Sequence, residues 1–283
     1  MRQFFLGCAV WAYKDWVGDF FPLGSRSSDF LRLYSERLTT VEGNTTFYSV
    51  PGKNMVQRWA TETPPDFQFC LKLPKTISHQ GAIAPYVTNA IAFLEHMDLL
   101  GSRLGPLMLQ LPPSYGVQYL EDLRNFLKGW GDRHPLAVEV RHLDWFSKAA
   151  QALNEMLREF QVGRIVLDTR PIYNCPEDPQ IASERRKPQV PLAADVTAPF
   201  TIVRYISHPT LSMNQGYLDE WVHQVSQWLK QGTRIYFFVH CPQEVHSPAI
   251  ARHFQACLEA QSIAVPPLPW NQIQQPDTQL SLF

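Results

Sequence analysis

The sequence predicts a single (β/α)8 TIM barrel, class α/β. Three observations carry this. Eight short apolar runs rich in β-formers recur along the chain, and helical-period segments lie between most of them. No G-x-G-x-x-G follows the first run, so the usual dinucleotide fingerprint is missing. The length of 283 residues alone permits one large domain or two ordinary ones; eight βα units at this length favour one.

The expected strands are Phe4–Val10, Thr40–Asn44, Phe67–Leu73, Leu107–Leu111, Leu136–Val140, Arg164–Asp168, Phe200–Ile206 and Arg234–His240. Four intervening segments show the 3.6-residue stripe most clearly. Leu120, Leu123, Phe126, Leu127 and Trp130 share one face, as do Leu153, Met156, Leu157 and Phe160. Leu218, Trp221, Val222, Val225, Trp228 and Leu229 form a third stripe, with Asn214 before it and Gly232 after it. Ser247-Pro248 reads as an N-cap followed by proline at the first helical position, opening a helix that carries Ile250, Phe254 and Leu258.

One unit breaks the rhythm. The segment from Pro171 to Pro199 contains six prolines, its two ends included, and the basic run Arg185-Arg186-Lys187. This reads as a long loop after strand six, on the face where barrel enzymes keep their working loops, or else as a solvated insertion without a role.

A hydrophobic fraction of 45% with 18% charged residues excludes a disordered chain. The net charge of −1 argues against a generally basic nucleic-acid binder. Proline outnumbers glycine by 23 to 14, the reverse of average usage, and the excess gathers in strand-end turns, the loop after strand six and the tail. Cys8, Cys70, Cys175, Cys241 and Cys257 are widely spread with no C-x-x-C pair, which reads as buried free thiols in a reducing compartment. The start, Met1 to Ala9, superficially resembles a lipoprotein signal ending at Cys8, but its apolar stretch is too short. No run of 18 apolar residues occurs. The expectation is a cytoplasmic protein with no membrane partner.

Strand ends carry the chemistry. Glu42 and Asn44, Lys72, Gln110, Glu139 and Arg141, Asp168, Arg204 and His240 each lie at or near the C-terminal end of a different strand or share one. Charges pointing into a closed core are costly unless paired, whereas at the open C-terminal mouth they can line a polar pocket. Pocket and internal ion-pair network are the two readings, with Glu42, Glu139 and Asp168 as candidate catalytic carboxylates against Lys72, Arg141 and Arg204. Aromatic residues crowd the same end: Trp11, Tyr13 and Trp16 after strand one, Phe47 and Tyr48 after strand two, and Trp145 after strand five. Singly these read as packing; as a cluster they suit a flat ligand such as a base or sugar.

Several blocks resemble the YecE-like family of uncharacterised TIM-barrel proteins. They are Gly7-Cys8-Ala9-Val10-Trp11-Ala12-Tyr13-Lys14-Asp15-Trp16-Val17-Gly18, Val41-Glu42-Gly43-Asn44-Thr45-Thr46-Phe47-Tyr48, and Phe69-Cys70-Leu71-Lys72-Leu73-Pro74 with Ile77-Ser78-His79 beyond. Gln110-Leu111-Pro112-Pro113 and Val138-Glu139-Val140-Arg141-His142 continue the match, with Asp168 and Arg204 after them. The resemblance spans the barrel and implies the fold; Trp11, Tyr13, Asn44, Tyr48, Lys72, His79, Gln110, Arg141, Arg204 and His240 stand as expected substrate contacts on the strand ends, the aromatic cluster and the matched blocks together. It implies little about activity. Two departures stand out: Cys8-Ala9 replaces a small hydroxyl residue and glycine, and His240-Cys241-Pro242 replaces an asparagine with a nearby histidine.

The barrel domain is expected to end near residue 264. Residues 265–283 are rich in proline and glutamine without helical or strand period, and read as an extended linker. It ends in Gln279-Leu280-Ser281-Leu282-Phe283, which resembles the bacterial sliding-clamp-binding pentapeptide. Leu282 and Phe283 would anchor in an apolar pocket while Gln279 and Leu280 fix orientation; alternatively the tail packs on its own barrel.

These features together point to an enzyme of DNA maintenance, a hydrolase or lyase acting on a phosphate-containing substrate and tethered to the clamp. Tethering raises effective concentration, so that weak DNA contact suffices. A small-molecule carbohydrate or phosphate-ester enzyme and a non-catalytic metabolite-binding barrel stand as alternatives. Many barrel glycosidases carry carboxylates after strands four and seven, where this chain has Gln110 and Arg204. No cofactor is expected. A divalent metal would need Glu42, Glu139, Asp168 and one of His208, His240 or His246, without any tight ligand motif.

Overall fold

Eight parallel strands alternate with helices in the computed structural model, which describes residues 2–181 and 186–273. The strands are β1 (Phe4–Cys8), β2 (Thr40–Gly43), β3 (Gln68–Leu71), β4 (Leu107–Gln110), β5 (Leu136–Glu139), β6 (Gly163–Asp168), β7 (Phe200–Ile206) and β8 (Arg234–His240). They pair in the order β3-β2-β1-β8-β7-β6-β5-β4. Two isolated bridges, Phe69 to Leu104 and Lys72 to Met108, bring the β3 and β4 sides together and nearly close the barrel. The expected fold is the observed one.

Period-two alternation sorts each strand into two faces. Inward residues form a dry plug of Phe5, Cys70, Met108, Ala137, Ile165, Phe200, Ile202, Tyr236 and Phe238, with Phe5 stacked on Tyr236 at 4.8 Å. Outward residues such as Leu71, Leu109, Val138, Val166, Val203 and Phe237 join the larger core beneath the helices. Two residues past the plug, the inward positions become Lys72, Gln110, Glu139, Leu167, Arg204 and His240. The polar end is one rise of the same pleat above the apolar one.

Helices Lys53–Glu62, Val87–Met97, Leu120–Trp130, Ala150–Glu159, Gln215–Lys230 and Ser247–Ala260 cover the barrel, with a shorter helix, Phe30–Ser35, after β1. The stripes expected at 120–130, 153–160 and 218–229 are buried on these helices, apart from Leu120, Phe160 and Leu229, which are half-buried. Gly232, at φ +81°, turns the chain after Gln215–Lys230. After β6 only one helical turn, Arg170–Tyr173, precedes the long loop. Ser247 departs from its expected role: its hydroxyl caps no backbone group and instead donates to the Glu244 carboxylate at 2.7 Å.

The segment after residue 264 also departs from expectation. Leu268 is buried, Trp270 meets Phe20 edge-on at 4.9 Å, and Arg252 lies over the Trp270 ring at 4.7 Å. Gln255 Nε2 donates to the Pro266 carbonyl at 3.1 Å. An aromatic and a leucine within the proline-rich stretch supply enough apolar area to dock it, so residues 265–273 are part of the barrel surface and not free linker. Gln279, Leu280, Leu282 and Phe283 lie outside the described residues. Cys8, Cys70 and Cys241 are buried free thiols, as expected, whereas Cys175 and Cys257 are half-buried. No helix among the described residues is long and apolar enough to cross a membrane.

Gly7 is where β1 and β2 approach most closely. A Cβ there would lie 1.9 Å from the Thr40 carbonyl oxygen, a backbone atom of the paired strand. Gly7→Ala is expected to force the pair apart and cost about 3 kcal/mol or more, read as a lowered urea midpoint.

Candidate functional site

A cavity of about 490 Å³ opens at the C-terminal mouth of the barrel. Its floor is an ion-pair lattice. Arg204 of β7 donates from Nε and Nη2 to both oxygens of Glu42 on β2, at 2.7 and 2.9 Å, and from Nη1 to Glu139 Oε2 on β5 at 2.6 Å. Arg141 Nε donates to the other Glu139 oxygen at 2.6 Å. Lys72 Nζ lies 3.0 Å from Glu42 Oε1 and donates to Gln110 Oε1 at 2.8 Å. His240 Nε2 completes the cluster, 2.8 Å from Glu42 Oε2. Six strand ends meet through these contacts.

This lattice sets the protonation states. Burial on its own would raise the Glu42 carboxyl, but Arg204, Lys72 and His240 overcome it and hold Glu42 well below the usual range. Glu139 is likewise opposed by burial yet held at about 2 by Arg204, Arg141 and Lys72. Burial, then Arg204, pulls Lys72 down to about 8 against the attraction of Glu42 and Glu139. His240 falls to about 4, chiefly by burial, and is therefore a neutral imidazole at pH 7. Its Nε2–H then donates to Glu42, and its buried Nδ1 has no partner among the described residues. Glu42 and Glu139 are fixed anions. That state suits charge placement and not proton exchange near neutrality, against the general acid or base role expected of them.

Asp168 stands apart from its expected place. Along β6 the inward positions are Ile165 and Leu167, so Asp168 faces the helices with Val166. There it accepts Arg170 Nε and Nη2 at 2.9 Å each and Trp221 Nε1 at 2.8 Å. It ties the end of β6 to helix Gln215–Lys230 and contributes nothing to the cavity.

Most of the aromatic cluster is also packing. Trp11 packs edge-on against Trp59 at 5.2 Å, and Tyr13 leans on Trp16, which is buried among Phe20, Phe21 and Tyr34. Trp145 is buried, with Nε1 donating to the Tyr115 carbonyl. Neither Trp11 nor Tyr13 lines the cavity. Phe47, Tyr48 and His79 do, with Phe47 edge-on to His79 at 5.0 Å and Tyr48 59% exposed at the rim. Asn44 lines it too, its Nδ2 fastened to the Ala9 carbonyl at 2.8 Å. One edge of the cavity therefore offers a flat face, and among the described residues no multi-ring cage lines it.

The loop after strand six reaches the site. Arg186, Lys187 and Pro188 line the cavity, and Lys187 is fixed through its backbone by Gln180 Oε1 and the Tyr173 hydroxyl. The basic run hinted at this. Glu244, half-buried on the 3-10 turn Glu244–His246 after β8, gave no such signal and is the lining carboxyl that sequence reading missed. Its exposure is set by the path of a loop, which residue spacing does not reveal.

Among the described residues no group of three or more His, Cys, Asp or Glu is placed to hold a metal ion. His208 is taken up in a turn, its Nδ1 accepting the Thr210 N–H at 3.0 Å. A second cavity, of about 460 Å³, lies at the opposite end of the barrel around Gln68, Trp130, His134, Phe200 and Arg234. Barrel chemistry takes place at the C-terminal mouth, and the convergent charges are there.

The chain matches the family described as "Protein of unknown function DUF72" over residues 5–273. The UPF0759 protein YecE of Escherichia coli strain K12 is 35% identical over 250 residues, 87% of this chain and 89% of that protein. A DUF72 family protein of Enterococcus faecalis V583, at 19% identity, superposes with a TM-score of 0.71 over 97% of this chain and all 100% of its own. Another from Thermotoga maritima MSB8, at 20% identity, reaches 0.69 over 91% and 100%. These structural likenesses concern the fold.

Removing one partner of a buried pair leaves the other uncompensated. Glu42→Gln is expected to destabilise the fold by about 3–5 kcal/mol in urea denaturation, since Arg204 and Lys72 lose their shared anion. Glu139 carries a pH signature. Its carboxyl is depressed from 4.5 to about 2, so its stabilisation is full above 4.5 and is lost as pH falls through about 2. Glu139→Gln should flatten that acid limb; an unchanged limb in a pH series of melting temperatures would show that the pair contributes nothing.

Proposed function

The chain belongs to the DUF72 family, whose description assigns no activity, and from its own geometry we propose that the barrel mouth binds and turns over a phosphate-bearing substrate. One observation carries this reading: cations exceed anions in the cavity wall. Lys72, Lys75, Arg141, Arg186, Lys187 and Arg204 line it, while Glu244 is its one lining carboxyl among the described residues, with Glu42 and Glu139 in the floor below. Two of those three carboxylates are already bound to Arg204. Arg186 is paired with Asp178, and the positive charge that still remains calls for an anionic group from the ligand.

The donors suit phosphate oxygens. Arg141 is 18% exposed and engages Glu139 through one edge of its guanidinium, which leaves N–H groups for a ligand. Lys187 has no carboxylate within ion-pairing distance among the described residues. Val10, Phe47, Leu167 and Ile206 make the apolar part of the wall, where the uncharged body of a substrate can rest. A cavity of about 490 Å³ takes a small molecule or a single nucleotide, and not a duplex.

The tail favours a nucleic-acid source for that phosphate. Gln279-Leu280-Ser281-Leu282-Phe283 supports a reading in which the chain works beside DNA, tethered to the sliding clamp. The chain's near-neutral charge is consistent with a tether supplying the affinity.

Titration calorimetry with inorganic phosphate tests the site. The intact chain is expected to bind, and Arg141→Ala or Lys187→Met to weaken binding about tenfold each, a loss of ~1.4 kcal/mol per charge-assisted contact. Binding should also decline as pH rises through about 8, where Lys72 loses its proton. Binding untouched by these variants would place the anion elsewhere. For the tail, purified bacterial clamp should retain the intact chain and release the Leu282→Ala/Phe283→Ala variant; equal retention, or none, removes the tether.

A further inference from the structure

One carboxyl of the cavity is not claimed by arginine. Glu244 sits on a turn whose position is fixed from outside: its carbonyl accepts Trp16 Nε1 at 2.9 Å, and Trp16 is locked among Phe20, Phe21 and Tyr34. Its Oε2 accepts the Ser247 hydroxyl at 2.7 Å, the carboxyl's one hydrogen bond among the described residues. Oε1 has no partner among the described residues, and it lies on the wall it shares with Arg141, Lys187 and Arg204. The carboxyl is held, oriented and uncommitted.

We infer that Glu244 is the proton-exchanging group of this site, taking a proton when an anion enters the cavity and passing it to an oxygen of the bound molecule. The role presumes the anion site proposed above. The step is one proton transfer: the O–H bond at the Glu244 carboxyl breaks as an O–H bond forms on the substrate oxygen, whose lone pair accepts the proton. The resulting carboxylate is reprotonated from water.

Five other titratable groups of the cavity are occupied, His79 among them through its Nδ1 contact with the Ser78 hydroxyl at 2.8 Å. Glu42 and Glu139 are bound to Arg204, Lys72 donates to both Gln110 and Glu42, and His240 spends Nε2 on Glu42. Glu244 is different in kind. Burial raises its carboxyl to about 7, against the pull of Lys187, the Ser247 hydroxyl and Arg204, with Glu42 adding to the rise. Tyr13 and Cys241 also face it, and burial pushes both of these groups up, so both are neutral at pH 7. A group balanced between its two forms at neutral pH is the efficient proton carrier. An incoming dianion repels the carboxylate and favours the acid, so binding and proton uptake are linked.

Sulfate is the probe, because unlike phosphate it does not titrate near neutrality. Calorimetry at pH 7 in two buffers of different ionisation enthalpy counts the protons taken up. The intact chain is expected to take up about half a proton per sulfate, the fraction open to a group half-ionised at the working pH. Glu244→Gln keeps the shape and the Ser247 contact; it should bind sulfate as well or better, with most of the uptake gone. Ser247→Ala removes a donor to the carboxylate and should move the pH of maximal uptake upward. Uptake unchanged in Glu244→Gln overturns the role while leaving the anion site standing. Absence of sulfate binding to the intact chain overturns both.

Discussion

Arg204 spans the barrel mouth, and the arrangement of the site depends on it. Its guanidinium holds Glu42 of β2 on one edge and Glu139 of β5 with the remaining nitrogen, drawing together strands that are not neighbours. Three buried charges in so small a space would be prohibitive singly. Together they form a lattice that positions Lys72, Arg141 and His240 as its outer members. Such buried networks are poor sources of net stability, because desolvation consumes most of the attraction. What this one supplies is position. The two glutamates anchor cations that would otherwise be mobile, and so fix where positive charge meets the cavity.

The same lattice explains why proton exchange falls to a residue outside it. An anion embedded among three cations, as Glu139 is, stays an anion, and an imidazole buried beside a guanidinium stays neutral. Glu244 makes no ion pair with these cations among the described residues and so keeps a titratable carboxyl, which burial raises. The site therefore divides its labour by depth: fixed charge at the floor, exchangeable proton on the wall. Separation of environments is how one pocket keeps carboxyl groups in different states at one pH.

The fold was legible because the two periods that specify it are local. Runs such as Thr40–Asn44 and Leu107–Leu111 alternate faces, while stripes such as Leu218 to Leu229 repeat every 3.6 residues. Much of the site was legible too, since a polar residue two positions past an apolar inward one marks the mouth: Lys72 after Cys70, Gln110 after Met108, Arg204 after Ile202. Asp168 misled for a related reason. Strand six ends with an apolar inward residue, Leu167, so the charge next to it belongs to the other face. Trp11 and Tyr13 lie on a turn, where parity no longer assigns direction. Lys187 and Glu244 reach the cavity on loops, and Ser247 turned from cap to carboxyl partner because Glu244 lay within reach. None of these outcomes is encoded in spacing.

Charge shows the same contrast between whole and part. A chain of net charge −1 carries no overall excess of cations to hold a polyanion along its length, and its composition argues against a generally basic nucleic-acid binder. The cavity reverses that locally. Field lines from Lys72, Arg141, Lys187 and Arg204 converge in a concave, partly apolar space, where low-dielectric walls focus them. One anionic group entering this space meets several cations. Local concentration without global charge therefore favours a ligand that presents a single phosphate, whether free or on one nucleotide turned out of a strand. For a strand, the remaining affinity would have to come from elsewhere, a requirement that the proposed tether would answer.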